Sequence, residues 1–153
     1  MLEQQLTTKV KTPHRFCENA VVNAAISYYV NRCEQSGIMI EMTLDLPNET
    51  GIDNIELSMT ISNLLENALY ACEKLPQGVI RNIQFHTVFT GQLLLEMKNP
   101  YVGEVDLDEN GYPLPKEQGH GIGTKSIVAF VEKQNGQLTY HLDNGIFQVR
   151  LIL

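Results

Sequence analysis

Residues 63–68, NLLENA, lie in the middle of a predicted amphipathic helix. An apolar stripe recurs there at helical spacing, made of Leu57, Ile61, Leu64, Ala68 and Cys72. Four polar side chains share one edge of the helix, within about 60° of arc beside the apolar stripe: Asn63, Asn67, Tyr70 and Lys74. Asparagine is a middling helix former because its side chain competes for backbone hydrogen bonds. Two asparagines four residues apart beside the core therefore need a reason.

Two explanations of this polar edge are open. Either the two asparagines are exposed and align by chance, or the edge faces a ligand. In the second case the amide oxygens of Asn63 and Asn67 could bind a hard cation.

A second informative stretch, GHGIGTKS at residues 119–126, opens a helix predicted over about 124–133. Its three glycines let the main chain approach a ligand closely and adopt positive φ. Free N–H groups at a helix start can bind phosphate, and the helix dipole favours the negative charge. The alternative is a flexible entry loop.

Neither of two common phosphate-binding motifs fits this stretch. A Walker P-loop has glycine directly before Lys-Ser after a buried strand, whereas here Thr124 intervenes and a proline-rich loop precedes. A Rossmann fingerprint needs a preceding strand and a third glycine three residues after the second, where Thr124 or Ser126 stands instead. The glycines therefore need another phosphate-binding context.

Periodicity and turn residues predict three helices and five strands. Thr12 and Pro13 predict the start of the first helix, and Asp53 with Glu56 predicts a capping box for the second. The predicted helices span about 12–35, 53–75 and 124–133. The predicted strands span 38–46, 80–89, 93–97, 137–142 and 146–153, the last two joined by a turn at residues 143–145. Residues 99–121 form one long loop, and such loops are usually functional.

This order predicts an α+β fold of two layers. The amphipathic strands indicate a sheet that is covered on one face and wet on the other. We expect a mixed sheet of about five strands with three helices on one face, a two-layer α/β sandwich.

Composition limits the function classes. The 153 residues suit one domain, and 43 % hydrophobic with 19 % charged residues is typical of a globular chain. A formal net charge of −7 without a Lys/Arg cluster argues against nucleic-acid binding. No apolar run reaches membrane-spanning length and no secretion signal opens the chain, so we expect no membrane contact and a cytoplasmic location. Three cysteines without metal-ligand spacing are predicted to be reduced, packed thiols: Cys17, Cys33 and Cys72.

Together, these stretches resemble a known family. Residues 63–68 look like the N box, and residues 119–124 like the second glycine box, of the ATPase superfamily that includes gyrase, Hsp90, histidine kinases and MutL (GHKL). The chain is most similar to the catalytic domains of AgrC-like sensor histidine kinases, a resemblance that extends to residues 16–19 and 28–29 and covers essentially the whole chain. It implies the Bergerat ATP-binding fold over residues 13–153, a residual linker at 1–12, and ATP and Mg²⁺ as ligands.

The resemblance also implies roles for the two asparagines as catalytic residues. Asn67 matches the family's magnesium-binding asparagine, and Asn63 matches a position that is a water-activating glutamate in the hydrolytic branch. An amide cannot act as that base. Neutral imidazole already carries a lone pair and needs no base, so the departure favours phosphoryl transfer to histidine over fast hydrolysis, with positioning and charge neutralisation supplying most of the catalysis.

Other nucleotide contacts follow from the same resemblance. The usual Asp-x-Gly-x-Gly box is missing, and Asn99 is the candidate to accept a hydrogen bond from the adenine amino group. Residues of about 100–120 correspond to an ATP lid that is expected to be disordered without nucleotide. The remaining positions assigned to nucleotide binding are Tyr70, Lys116, Gly119, His120, Gly121, Ile122, Gly123 and Thr124. For Lys116 the alternative is an ordinary solvated lysine.

The expected partner is a phosphoacceptor histidine on a separate domain, with a response regulator downstream and a parent protein anchored in the bacterial membrane. The chain's own histidines are not expected to be the acceptor: His14, His86, His120 and His141. Two rival functions stay open. One is a serine kinase like the anti-sigma factors, or a slow ATPase, on the same fold. The other is a regulatory binding module that has lost catalysis, which the missing glycine box supports.

Overall fold

The computed structural model describes residues 15–115 and 121–153, and of residues 121 and 122 only the main chain. The elements follow in the order α1 (Ala20–Gln35), β1 (Met39–Leu44), α2 (Asn54–Glu73), β2 (Asn82–Phe89), β3 (Leu93–Pro100), α3 (Gly121–Lys133), β4 (Gln137–Asp143) and β5 (Ile146–Ile152). No helix in the described part of the chain is long and apolar enough to span a membrane.

The five strands form one mixed sheet in the order β1-β2-β3-β5-β4. β1 and β2 pair in parallel, because α2 carries the chain back across the sheet between them, and the other neighbours pair antiparallel. Helix α1 lies against α2 and β1, α2 lies against β2 and β3, and α3 lies against α2 and β4. The predicted α+β fold, a two-layer sandwich with helices on one face of the sheet, is confirmed.

The register places every second strand residue under the helices. Phe85 pairs with Met97, Met97 with Val149, and Val149 with Tyr140. Phe85, Met97 and Val149 are all buried, and each such side chain stabilises the fold by about 1.5–3 kcal/mol. The same row runs across the sheet to Tyr140, so the register that builds the core also fixes the side chains near β4.

Helix α1 begins later than predicted. Its N-cap is the fully buried Asn19, whose side chain accepts a hydrogen bond from Val22 N at 3.2 Å and donates one to Asn54 Oδ1 at 2.9 Å. This cap also joins α1 to the start of α2, so it fixes the helix boundary more firmly than a local pattern can. The predicted start at Thr12 and Pro13, together with His14, lies outside the described residues.

Helix α2 begins as predicted. The side chain of Asp53 accepts hydrogen bonds from the main-chain N–H groups of Ile55 and Glu56. The carboxylate of Glu56 pairs with Lys133, in the last turn of α3. The first turn of α2 is thereby tied to the end of α3.

The cysteines match the prediction of packed thiols. All three are free and buried. Burial raises the pKa of Cys33 and of Cys72 to about 11. Both thiols are therefore protonated at neutral pH and serve as core side chains.

The uncovered face of the sheet is polar and carries one well-formed ion pair. Glu96 accepts hydrogen bonds from Arg150 Nε at 3.1 Å and Nη2 at 2.6 Å, and its carboxylate lies 3.5 Å from Lys98 Nζ. Partial burial alone would raise the pKa of Glu96, but the hydrogen bonds from Arg150 and the charge of Lys98 outweigh it, so the pKa is lowered.

Replacing the Glu96 carboxylate should lower the free energy of unfolding only at pH values at which Glu96 is ionised. Because the folded-state pKa is lowered, the stabilisation is complete above the unfolded value of about 4.3 and is lost as pH falls through the folded value. We expect Glu96→Gln to lower the free energy of unfolding at pH 7 by up to about 1 kcal/mol, since Arg150 is partly exposed. Urea unfolding at neutral pH and at about pH 3 measures this. An equal cost at both pH values would contradict the assignment, and Glu49→Gln in the exposed loop before α2 is the control.

Candidate functional site

A cavity of about 240 Å³ lies between the helices and the sheet, at the end where β3 leaves the sheet. The inner half of its wall comes from α2, β3, β4 and β5. The outer half comes from the loop after β3 and from Thr124 in the first turn of α3. Segments from the middle to the end of the chain therefore enclose one space.

The polar edge of α2 faces this cavity. Asn67, Tyr70 and Lys74 line it, and the Lys74 ammonium lies 4.3 Å from the centre of the Tyr70 ring. Asn63 stands one helical turn before Asn67, towards α3. Asn63 and Asn67 are half-buried rather than exposed, and a ligand-facing edge stays a prediction.

The first turn of α3 meets the two asparagines at Gly123. A Cβ placed on Gly123 would lie 3.7 Å from Asn67 Oδ1 and 3.8 Å from Asn63 Oδ1. The first N–H groups of a helix have no partner within the helix and carry partial positive charge. Two amide oxygens and a helix start therefore meet at one end of the cavity, where a cation and an anionic group could be bound side by side.

The structure corrects the expected conformation of the glycine stretch. Helix α3 begins at Gly121, three residues earlier than predicted, so Gly123 has a helical main chain rather than a positive φ. The absent side chain leaves space beside the asparagines, since an added Cβ would lie at ordinary contact distance from both amide oxygens. Of the other assigned residues, Lys116, Gly119 and His120 lie outside the described residues, as does the side chain of Ile122.

Glu66, between the two asparagines, points away from the cavity. Its carboxylate pairs with Arg32 of α1 at 2.6 Å. Burial, followed by the hydrogen bond and charge of Glu66, raises the pKa of Tyr29 in α1 to about 12. Glu66 thus helps to hold α1 against the helix that carries the asparagines.

Asn99 lies at the other end of the cavity, as the second-last residue of strand β3. It is 5 % exposed, and its Nδ2 donates a hydrogen bond to the carbonyl oxygen of Pro100 at 2.9 Å. Since the amide nitrogen is bound to the main chain, the amide oxygen is the group that can accept from a ligand. Met97, two residues earlier, contributes an apolar surface beside it.

Sequence reasoning missed an aromatic wall. The Phe147 ring centre lies 5.5 Å from that of Tyr140 and 6.4 Å from that of Tyr101, and all three residues line the cavity. The hydroxyl of Tyr140 is buried without a hydrogen-bond partner in the described chain, and burial raises the pKa of Tyr140 far above its ordinary value. The alternation of β4 and β5 put these side chains on the inner face, but only the strand order β3-β5-β4 brings them beside Asn99.

The described part of the predicted lid contains a defined turn. Leu107 and Pro113 form an antiparallel bridge, and Asp108 Oδ1 accepts from the N–H groups of Asn110 and Tyr112 at 2.9 Å each. Gly111 adopts φ +79° within this turn. Residues 106–114 therefore form a turn held by its own hydrogen bonds, within the segment predicted to be the lid.

Comparison with protein families and known structures gives one family and one fold. The family model described as "GHKL domain" matches residues 52–153. No curated protein matches the sequence. The catalytic domain of histidine kinase ThkA superposes with a TM-score of 0.69 at 13 % identity, covering 88 % of this chain and 92 % of that one.

Two further structures superpose in the same way. The histidine kinase AdeS of Acinetobacter baumannii gives a TM-score of 0.62 at 12 % identity, over 99 % of this chain and 72 % of that one. A mycobacterial sensor histidine kinase, MprB, gives a TM-score of 0.61 at 16 % identity, over 87 % of this chain and 91 % of that one. At these identities the likeness establishes the fold that this chain shares with histidine kinase catalytic domains.

Proposed function

Because this chain belongs to the GHKL domain family, we propose that it binds ATP with Mg²⁺ and transfers the γ-phosphoryl group to a histidine on a separate domain. The observation that carries the proposal is the approach of the Asn63 and Asn67 amide oxygens to the first turn of α3 at Gly123. It joins a set of cation ligands to an anion-binding helix start, as a metal–phosphate group requires.

The donors present suit Mg²⁺. In the described part of the chain, no cluster of three or more His, Cys, Asp or Glu side chains could hold a metal. The protein ligand would be the amide oxygen of Asn67, with Asn63 one turn away to place the metal or the phosphates. A hard cation that keeps several waters and binds phosphate oxygens needs few protein ligands. When bound, it neutralises charge on the phosphates.

The rest of the nucleotide would follow the length of the cavity. The N–H groups from Gly121 to Thr124 would bind phosphate oxygens, and the Asn99 amide oxygen would accept from the adenine amino group. Met97 and Val149 would contact the base. Tyr70 and Lys74 would flank the phosphates from α2.

Transfer to histidine suits these residues better than hydrolysis. A lone pair of a neutral imidazole nitrogen attacks the γ-phosphorus, the bond to the β,γ-bridging oxygen breaks, and ADP leaves with that electron pair. No carboxylate base is needed, and Asn63 offers none. Because phosphoryl transfer depends mainly on positioning and charge stabilisation, the asparagines and the α3 start would supply the chain's part of the catalysis.

The acceptor would belong to another domain. His86 and His141 alternate with inward-facing strand residues and lie on the polar face of the sheet, away from the cavity. We place the catalytic domain at residues 13–153, after a linker at 1–12, within an AgrC-like kinase of a two-component system. Its parent would be anchored in the bacterial membrane with this domain in the cytoplasm, and a response regulator would act downstream.

Replacing Asn67 with alanine should abolish magnesium-dependent stabilisation by ATP. A ligand that binds only the folded state at 100 times its dissociation constant adds about 2.7 kcal/mol of stability. Thermal unfolding of the wild type with ATP should therefore show a higher melting temperature with Mg²⁺ than with EDTA, and Asn67→Ala should remove that difference. Asn31→Ala, at an exposed position in α1, is the matched control and should behave as wild type. No shift for the wild type at millimolar ATP would instead favour the regulatory binding module.

Gly123→Ala should weaken nucleotide binding without lowering the stability of the fold. The added methyl group would make ordinary contacts at 3.7 and 3.8 Å, so the fold should tolerate it, and alanine is favoured over glycine in a helix by up to about 1 kcal/mol. The same methyl group would occupy the gap between the asparagines and the helix start. We expect roughly tenfold or greater loss of Mg-ATP affinity by calorimetry, with no loss of stability to urea. Unchanged affinity would show that the phosphates bind elsewhere.

The chemical class of the acceptor can be tested directly. Radiolabelled ATP, Mg²⁺, this domain and a phosphoacceptor helical hairpin from a histidine kinase should yield a phosphoprotein that loses its label in acid and keeps it in base. Asn67→Ala should give no label. An acid-stable phosphoprotein would support the serine-kinase alternative, and rapid release of phosphate without labelling would support an ATPase.

A further inference from the structure

The Tyr140 hydroxyl is a buried polar group without a hydrogen-bond partner among the described residues. In the described residues only two buried side-chain atoms lack a hydrogen bond, Asn82 Oδ1 and the Tyr140 hydroxyl, and of these two residues only Tyr140 lines the cavity. Native structures satisfy almost all buried polar groups, and an exception calls for a specific explanation. Removal from water without a partner destabilises the free protein, so a ligand that supplies one would recover that loss.

The sheet register places Tyr140 and Asn99 on the two sides of one apolar floor. Tyr140 pairs with Val149 of β5, and Asn99 pairs with Phe147 of β5 from the opposite side. Neighbouring strands lie about 4.8 Å apart and the two pairing partners are two residues apart along β5, so the two polar residues are anchored about 12 Å apart across β5. Val149 and Phe147 form the floor between them. A flat base on that floor would have Asn99 at one edge and Tyr140 at another.

Asn99 and Tyr140 differ in their hydrogen-bonding roles, one as an acceptor and the other as a donor. Asn99 presents an acceptor, because its amide nitrogen is bound to Pro100. A tyrosine hydroxyl can donate. Adenine offers an amino donor flanked by two ring-nitrogen acceptors, N1 and N7, which suits an acceptor on one side and a donor on the other. Guanine has a carbonyl oxygen in place of that amino group, and the oxygen would face the Asn99 oxygen unfavourably.

The loop after β3 contributes to the cover over Tyr140. Tyr112, in the turn at residues 106–114, packs edge-on against Tyr140 with ring centres 6.0 Å apart. Tyr140 therefore contacts the loop after β3 as well as β5. Because the Tyr140 hydroxyl is buried, a base could reach it only if a neighbouring group moved, and Tyr112 belongs to the loop rather than to the sheet.

We propose that the Tyr140 hydroxyl donates a hydrogen bond to a ring nitrogen of adenine, N1 or N7, and with Asn99 selects adenine over guanine. This inference rests on the proposed binding of ATP. It gives β4 a part in base recognition in a chain whose segment after β3 lacks the usual glycine box.

Tyr140→Phe tests the inference, because its two expected effects have opposite signs. Removing an unsatisfied buried hydroxyl should raise the melting temperature of the free domain by about 2–4 °C. Loss of the hydrogen bond should weaken Mg-ATP binding about three- to tenfold in calorimetry and narrow the preference for ATP over GTP. A merely structural hydroxyl would instead give a lower melting temperature with affinity unchanged, and that result would overturn the proposal. Tyr28→Phe, at a residue 58 % exposed on α1, is the matched control and should change neither quantity.

Modified nucleotides identify the atom that receives the hydrogen bond. Either 1-deaza-ATP or 7-deaza-ATP should bind the wild type more weakly than ATP does, and Tyr140→Phe should bind that same analogue and ATP equally. If the wild type binds ATP but Tyr140→Phe loses as much affinity for both analogues as for ATP, the base-reading role is wrong while ATP binding stands. If the wild type binds no nucleotide, the proposed function fails, and this inference with it.

Discussion

Helix α2 contributes side chains both to the hydrophobic core and to the candidate site. The positions of the other elements depend on these two roles. The apolar stripe of α2 lies on β2 and β3, its first turn is tied to both α1 and α3, and one edge beside the stripe faces the cavity. Leu64 and Ala68 of the stripe and Asn67 of the edge all reach the cavity wall. The position of Asn67 is thus fixed by core packing, which is the preorganisation that an electrostatic site needs.

The second constraint is the approach of α3. A Cβ added at residue 123 would lie at van der Waals distance from both asparagines, so the first turn of α3 leaves room for about one methyl group there. Its last turn is held to the first turn of α2 by Lys133 and Glu56. Contacts at both ends set the two helices relative to each other, so the alignment of the helix start with the amide oxygens depends on the whole length of α3. A local loop would not give that precision.

How far the sequence predicts this arrangement differs from element to element. The period of α2 and the alternation of the strands each express local geometry, so the helix stripe, the strand faces and the turn at Asn144 could be predicted, and the fold with them. The start of α1 could not, because Asn19 owes its role to a contact with Asn54, far along the chain. The helical conformation of Gly123 was not predicted, because glycine is typical of positive φ angles, whereas Gly123 has ordinary helical angles in α3.

The site shows the same division. Asn67, Tyr70 and Thr124 could be predicted as neighbours of one ligand because their motifs lie on or beside helices with a known period, and the structure brings them to one cavity. Tyr140 and Phe147 carry no motif. Their place beside Asn99 depends on β5 entering between β3 and β4, which is a property of the sheet order rather than of any short stretch.

That strand order also bears on how the molecule is assembled. β5 pairs with β3 across about fifty intervening residues, and Leu153 and Leu93 exchange main-chain hydrogen bonds at 2.9 and 3.3 Å. A pairing between segments this far apart in the chain is slow to form, because loop closure has to precede it. The floor of the cavity depends on this pairing. During synthesis the asparagine edge of α2 exists in the chain well before the strand that completes the site, so competence to bind would arrive in one step, with the final hairpin.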